Sequence, residues 1–376
     1  MKKIIILGAG MIGSAIAFDL SSRYNVTIVD IDKSKLKKLA EKYSIKTIQE
    51  DISNKQLLTK RIKFYDLIIC AVPGFMGYKT LQNIIEAGKN VVDISFFAED
   101  PFKLDKLAKQ KKVTAVVDCG VAPGLSNIIL GHHNSKMKIE YFECVVGGLP
   151  FERRLPFQYK VPFSPTDVIE EYMRPARIVH NRKVIIKEAL SDVELVNIEQ
   201  VGTLESFNTD GLRTLIKTMN IPDMREKTLR YPGHIEYINL FKQSGFFNKE
   251  YVNINGKKVR PVDLTAKLLF PIWHLDDEEK EFTVLQIKIR GTENNRNKEY
   301  LYNLFDQFDE NTKITSMART TGYTCSSVAR LLINNQYSRK GISPPEFIGE
   351  DDRCFDKVIE DLKERKIIFK IREEKT

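Results

Sequence analysis

The first thirty residues constrain this chain most. "KKIIILGAGMIGSAIAFDL" is an apolar run, a glycine-rich turn and a helical pattern, and it leads into a second apolar run, "NVTIVDID", which contains Asp30. A glycine turn alone says little, but strand, turn, helix and strand in this order form a dinucleotide-binding βαβ unit. Gly8 permits the tight turn, Gly10 lets backbone approach a pyrophosphate, and Gly13 lets helix and sheet pack closely. The amides of Met11, Ile12 and Gly13 open the helix without intrahelical partners, and they face the phosphates. Asp30 stands about 20 residues past the first glycine, where a carboxylate accepts hydrogen bonds from the adenosine ribose. A 2′-phosphate would meet its negative charge, so NAD is expected over NADP. Lys33 lies close enough to weaken that preference.

Further apolar runs follow at alternating intervals: "IKTI", "DLIICAVP", "NVVDIS" and "VTAVVDCG", separated by helical stretches. This rhythm predicts an α/β fold with a doubly wound parallel sheet and a ligand crevice at the strands' carboxyl ends. Asp51, after "IKTI", is placed near the adenine, and Ala71, Val72 and Pro73 near the nicotinamide half. Asp93 and Asp118 fall at or near strand ends on that edge. Each is a candidate for contact with substrate or cofactor, with a simple helix cap as the alternative.

After Gly120 the pattern changes. "VAPGLSNIILGHH" reads as a turn into a helix, and strands such as "IEYFECVVGGLP" and "VLQIKIRG" surround helical patterns. An α+β domain with a largely antiparallel sheet is expected there, over residues 121–311, serving substrate binding and dimerisation.

Composition removes several classes of function. The chain has 376 residues, 42% of them hydrophobic, which is enough for two cores. No apolar run approaches the ~18 residues of a membrane span, and "MKK" runs into "IIILGAG" with no cleavage region, so a cytoplasmic protein is expected. The net charge of +9 is scattered over helix faces such as "DKSKLKKLAEK", with no aromatic-interleaved basic block to stack bases. Nucleic acid and membrane partners are therefore not expected, and acidic small molecules are. Five cysteines without a CxxC pair predict free thiols and no metal site.

In the second half, "TDGLRTLIKTM" places Leu212, Leu215, Ile216 and Met219 on one face of an expected helix. Arg213 lies about 100° around from Leu212, at the edge of that face. "KTLRYPGH" then sets Arg230 and Tyr231 before a Pro-Gly turn and His234 after it, at the start of another helix. Two guanidinium groups and an open helix terminus suit a carboxylate, so Arg213, Arg230 and Tyr231 are candidate substrate ligands. The alternative for Arg230 is an internal ion pair with Glu226 or Asp223. His234, kept neutral by the helix end, either takes a proton from an amine or caps its own helix.

Read together, "VVDCGVAPGLSN", "GGLP", "FNTDGLRTL", "EKTLRYPGH" and "SMARTTGYTCSSVARLL…KGISPPE" resemble the saccharopine dehydrogenase-like family. Within that family the chain is most similar to its lysine 6-dehydrogenase group. The resemblance implies that the dinucleotide domain, residues 1–120, is completed by about 312–376. It also implies a homodimer and NAD-dependent oxidative deamination of L-lysine at its 6-amino group. The semialdehyde product would cyclise to 1-piperideine-6-carboxylate. Cleavage of a secondary amine, as in saccharopine, is the alternative within the family, and Arg153, Arg154 and Lys160 are available as extra cations. A silent NAD-binding sensor is the alternative outside enzymes.

Overall fold

The computed structural model describes residues 1–161, 165–276 and 279–375. It divides into two compact units, Met1–Met137 with Met317–Ile368, and Lys138–Ser316 with Phe369–Thr376.

The first unit opens with β1 (Lys3–Leu7), α1 (Met11–Ser21), β2 (Asn25–Asp30), α2 (Lys33–Tyr43), β3 (Lys46–Gln49), α3 (Lys55–Ile62), β4 (Leu67–Cys70), α4 (Gly74–Glu86), β5 (Val91–Asp93), α5 (Asp105–Gln110), β6 (Thr114–Val116) and α6 (Leu125–Asn134). The chain then forms the second unit: β7 (Lys138–Pro150), α7 (Pro165–Met173), β8 (Ala176–His180), β9 (Lys183–Lys187), β10 (Glu194–Ile198), β11 (Gly202–Asn208), α8 (Leu215–Thr218), β12 (Asp223–Arg230), α9 (His234–Gln243), β13 (Val252–Ile254), β14 (Lys257–Val259), α10 (Pro261–Trp273), β15 (Glu281–Glu293) and β16 (Arg296–Gln307). It returns through α11 (Ser316–Ile333), β17 (Gly341–Ser343), α12 (Pro345–Gly349) and α13 (Asp352–Glu364), and ends in β18 (Phe369–Lys375).

In the first unit the described strands form a parallel sheet in the order β17-β6-β5-β4-β1-β2-β3. Ile4, Ile5, Ile6 and Leu7 are all fully buried. A strand covered by helices on both faces must be apolar at every position, which is why β1 reads as a continuous run. Strand order reverses between β1 and β4, which puts the topological switch point beside the glycine turn.

The division falls after Met137, not at residue 120. Helix α6 stays with the first unit because its Gly131 lies against the backbone of Glu346, and Gly349 of α12 lies against the Ile128 carbonyl. Neither position leaves room for a Cβ. Asn127 Nδ2 donates to Glu346 Oε2 at 3.0 Å in the same contact. The far end also differs from expectation: β18 pairs antiparallel with β16, so residues from Phe369 onward belong to the second unit.

The second unit is built on a nine-stranded sheet among the described residues, with path β10-β11-β12-β7-β15-β16-β18 and with β8 and β9 off it. Strands β7 and β12 run parallel, and the other pairings are antiparallel. The β15–β16 hairpin turns on Asn294 and Asn295, whose φ values of 49° and 59° suit asparagine in a two-residue turn. An aromatic core that includes Phe157, Tyr159, Tyr172, Phe207, Phe247 and Trp273 fills one part of this unit.

The helix expected over "TDGLRTLIKTM" is confined to Leu215–Thr218. Leu212, Leu215 and Met219 are buried as their spacing predicts, and Ile216 is half-buried. The backbone does not follow, because Arg213 takes a left-handed φ of 48° and Gly211 is pressed against the Glu226 carboxylate. Apolar spacing marked the buried positions, but packing at Gly211 decided the path.

Candidate functional site

The glycine turn between β1 and α1 is built in layers. Gly8 has a φ of 107°, a conformation that side-chain-bearing residues rarely adopt, and a Cβ on it would strike the Ala71 carbonyl. A Cβ on Gly13 would strike the Gly8 carbonyl, so α1 sits directly on the turn. Gly10 differs: among the described residues, apart from Gly10 itself and its two chain neighbours, no heavy atom lies within 4 Å of where its Cβ would be. It is the N-cap of α1 and provides no side-chain cap, which leaves the first amides of the helix to other acceptors. Backbone closed behind the turn and open space before it fit the approach of a pyrophosphate.

Asp30 ends β2 beside this turn. Its Oδ2 accepts from the Ala9 amide at 2.7 Å and its Oδ1 from the Asp32 amide at 2.9 Å. The carboxylate is thereby fixed to the fingerprint, with lone pairs left for hydroxyl groups. Asp51 lies exposed beyond β3 and accepts from the Ser53 amide at 2.9 Å. Ala71 follows β4, its amide donating to Leu7 O at 2.9 Å, and Pro73 is the N-cap residue of α4.

Asp93 ends β5 with no exposed surface. It accepts from the Ser95 amide at 3.0 Å and from Ser95 Oγ at 2.8 Å. Burial pushes its pKa up to about 7, and the neighbouring Asp118 adds to the rise. Asp93 can hold a proton but presents no face to a substrate. Asp118 is buried with a left-handed φ of 54°. Sequence reasoning did not place the thiols of Cys70, Cys119 and Cys325 around this carboxyl, where burial raises all three pKa values.

In the second unit Arg230 is 2% exposed and joined to a side-chain network. Its Nε donates to the Tyr172 hydroxyl at 3.2 Å, one terminal nitrogen to Leu229 O at 2.9 Å, and the other to the Tyr159 hydroxyl at 3.2 Å and Glu171 Oε2 at 3.3 Å. The guanidinium also lies 4.3 Å from the centre of the Tyr159 ring. Its ionic partner is therefore Glu171, not Glu226 or Asp223.

His234 begins α9 as expected, but both ring nitrogens are engaged. Nδ1 lies 2.8 Å from Phe157 O and Nε2 lies 2.9 Å from the Tyr172 hydroxyl. A carbonyl can only accept, so Nδ1 carries the proton and Nε2 accepts from Tyr172. The His234 pKa falls to about 3 because of burial and then the Arg230 charge, two causes that the sequence reading, which invoked the helix terminus, did not name. Tyr231 donates its hydroxyl to Pro150 O at 2.9 Å, and Arg153 covers its ring. Arg213 is buried in the same unit, within electrostatic reach of Arg174. Thus Arg230 and His234 meet through Tyr172. The aromatic ring and carboxylate on α7 that bind Arg230 were not picked out as its partners from sequence. Their one local signal is the adjacency of Glu171 and Tyr172.

The fold and the glycine turn define a dinucleotide-binding protein of the doubly wound class with a second, mixed-sheet unit. Residues 4–116 match the saccharopine dehydrogenase NADP binding domain, and residues 120–368 match the saccharopine dehydrogenase C-terminal domain. The chain belongs to the saccharopine dehydrogenase family. The mitochondrial alpha-aminoadipic semialdehyde synthase of Rattus norvegicus is 24% identical over 268 residues, covering 66% of this chain and 29% of that protein. Saccharopine dehydrogenase [NADP(+), L-glutamate-forming] of Pyricularia oryzae is 24% identical over 264 residues, covering 66% of this chain and 59% of that protein. Among solved structures, the L-Glu-forming saccharopine dehydrogenase of Saccharomyces cerevisiae aligns over 100% of both chains with a TM-score of 0.78 and 17% identity. The homospermidine synthase of Legionella pneumophila, solved with NAD, has a TM-score of 0.70 and 13% identity over 100% of this chain and 91% of its own. These structures share the fold. Among the described residues, no helix is long and apolar enough to cross a membrane.

Proposed function

We propose that this protein is an NAD-dependent oxidoreductase that oxidises the 6-amino carbon of L-lysine. The observation that carries the cofactor half is the Asp30 carboxylate, fixed by the Ala9 and Asp32 amides beside a turn open at Gly10. NAD supplies a hydride acceptor when bound. The neutral amine loses hydride from its carbon, and the nitrogen lone pair stabilises the cation as an imine. Water adds to the imine carbon, ammonia leaves, and the α-amine of the resulting semialdehyde condenses with its aldehyde, with loss of water, to give 1-piperideine-6-carboxylate. Arg213 is assigned to the α-carboxylate as a guanidinium of the second unit. Arg230 is assigned to hold Tyr172 and, through it, His234. The protein acts as a cytoplasmic homodimer in this reading.

A second reading is oxidation of the secondary amine of saccharopine, favoured by the names of the relatives from Pyricularia oryzae and Saccharomyces cerevisiae. One assay separates the two: NADH formation with L-lysine, saccharopine and cadaverine, with ammonia and glutamate measured as co-products. Lysine turnover with ammonia release supports the first reading, and saccharopine turnover with glutamate release supports the second. No turnover with any amine would leave a cofactor-binding protein without this activity.

A further inference from the structure

The motif "MARTTGY", on α11, takes no part in the function derived above, yet it lies against the dinucleotide turn. Gly322 packs on the first turns of α1: a Cβ there would meet Ile16 Cγ1 at 3.3 Å, and Ala15 Cβ and Ile12 O at 3.4 Å. The preceding residue, Thr321, has its methyl group against Gly120, 3.2 Å from where a Cβ on that glycine would stand. Gly120 belongs to the segment that leaves β6 across the carboxyl edge of the sheet, where the Cys119 amide donates to Asp93 O at the end of β5. Thr321 therefore lies between the fingerprint helix and the carboxyl ends of β5 and β6.

Its hydroxyl is unusual for a helical threonine. Thr324, one turn on, follows the common arrangement and donates to Thr320 O at 2.8 Å. Thr321 Oγ1 instead lies 3.5 Å from Met317 Sδ, a thioether, which is a weak acceptor. Among the described residues it has no oxygen or nitrogen partner. Thr321 is 8% exposed, while Thr320 and Thr324 are fully buried. A nearly buried hydroxyl with only a sulfur to bond is costly unless something else engages it.

The sheet order says what that would be. Asp30 and Asp51, on the β2 and β3 side of the switch point, face the adenosine half. The edge over β4, β5 and β6 then receives the nicotinamide half. We propose that the Thr321 hydroxyl is a hydrogen-bonding ligand of the nicotinamide riboside half of the dinucleotide, held in place by the glycine contacts on either side. This rests on the dinucleotide reading of the turn between β1 and α1.

The test uses the full chain, with NADH binding followed by its fluorescence and ADP binding by calorimetry. Thr321→Val keeps the methyl group and removes the hydroxyl. It should weaken NADH binding about threefold to tenfold, the range for one lost hydrogen bond. ADP, which lacks the nicotinamide riboside, should bind as before, and the thermal midpoint of the unliganded protein should not fall, because the variant removes an under-satisfied buried hydroxyl. Thr321→Ser keeps the hydroxyl and should bind NADH like the wild type. The proposal is overturned if Thr321→Val binds NADH normally, if it loses ADP affinity to the same degree, or if Thr321→Ser is the impaired variant. A wild-type protein that binds neither NADH nor NADPH would refute the dinucleotide reading itself, a separate failure.

Discussion

Replacing Arg230 with Ala should damage the fold of the second unit before it damages any substrate contact. The guanidinium sends four hydrogen bonds to protein groups: Tyr172, Leu229 O, Tyr159 and Glu171. Removing it leaves the Glu171 carboxylate, whose side chain is 14% exposed, without its cation. Breaking one partner of such a pair costs about 3–5 kcal/mol, because the remaining charge stays desolvated. At roughly 2–4 °C per kcal/mol for a unit of this size, the thermal midpoint should fall by about 6–20 °C. Arg230→Lys should recover part of this, since it restores charge without the planar fork. Circular dichroism melts of the cofactor-free protein measure the effect directly. Glu171→Gln should make the Arg230→Ala variant less unstable, because the orphaned charge is then gone. If Arg230→Ala melts within about 2 °C of wild type while the substrate KM rises about 30-fold or more, the guanidinium serves the substrate. The network described here would then be incidental.

Two further outcomes test the first unit. Asp30→Asn keeps an acceptor for one of the two amides but removes the charge. Any preference for NAD over NADP should shrink by about tenfold, roughly 1.4 kcal/mol of lost repulsion, read as the ratio of the two dissociation constants. Gly131→Ala should destabilise the first unit by about 1–3 kcal/mol in urea melts, because α6 and α12 would be forced apart at the Glu346 backbone. An unchanged urea midpoint would show that this contact is not what joins the C-terminal segment to α6.

The parts of the structure legible in sequence are those whose cause is local. The strand, turn and helix from Lys3 to Ser21 follow from consecutive residues, and the space at Gly8, Gly10 and Gly13 follows from the turn they make. Arg230 shows the limit. Its carboxylate partner lies 59 positions away on α7, and no periodicity links the two. The expected helix after Asn208 failed for a similar reason: Gly211 is held by Glu226, which reaches it from β12. The boundary at 120 was set by a change of motif. The contacts of Gly131 and Gly349 that move it to 137 exist only once α6 and α12 meet.

Two buried groups should make the units respond to acid in opposite directions. His234 has its pKa lowered from 6.5 to about 3 in the folded second unit. Above pH 6.5 it is neutral folded or unfolded, so it has no effect on stability. As pH falls from there towards 3, only the unfolded chain gains the proton, and the second unit loses up to about 1.4 kcal/mol per pH unit. Asp93 has its pKa raised from 3.8 to about 7 in the first unit. Above pH 7 it is ionised in both states and its burial cost is fully present. As pH falls through 7 towards 3.8 the folded state binds the proton first, so the first unit gains stability. Between about pH 6 and pH 4 the contribution of Asp93 should therefore tighten the first unit while that of His234 loosens the second. Hydrogen exchange followed by peptide resolves the units separately in one sample. Protection in peptides from β4, β5 and β6 should rise relative to Asp93→Asn as pH falls, after correction for the intrinsic exchange rate. Protection in peptides from α7 and α9 should fall relative to His234→Gln. Equal pH slopes in wild type and variant for either unit would mean that its buried group does not titrate as its surroundings require.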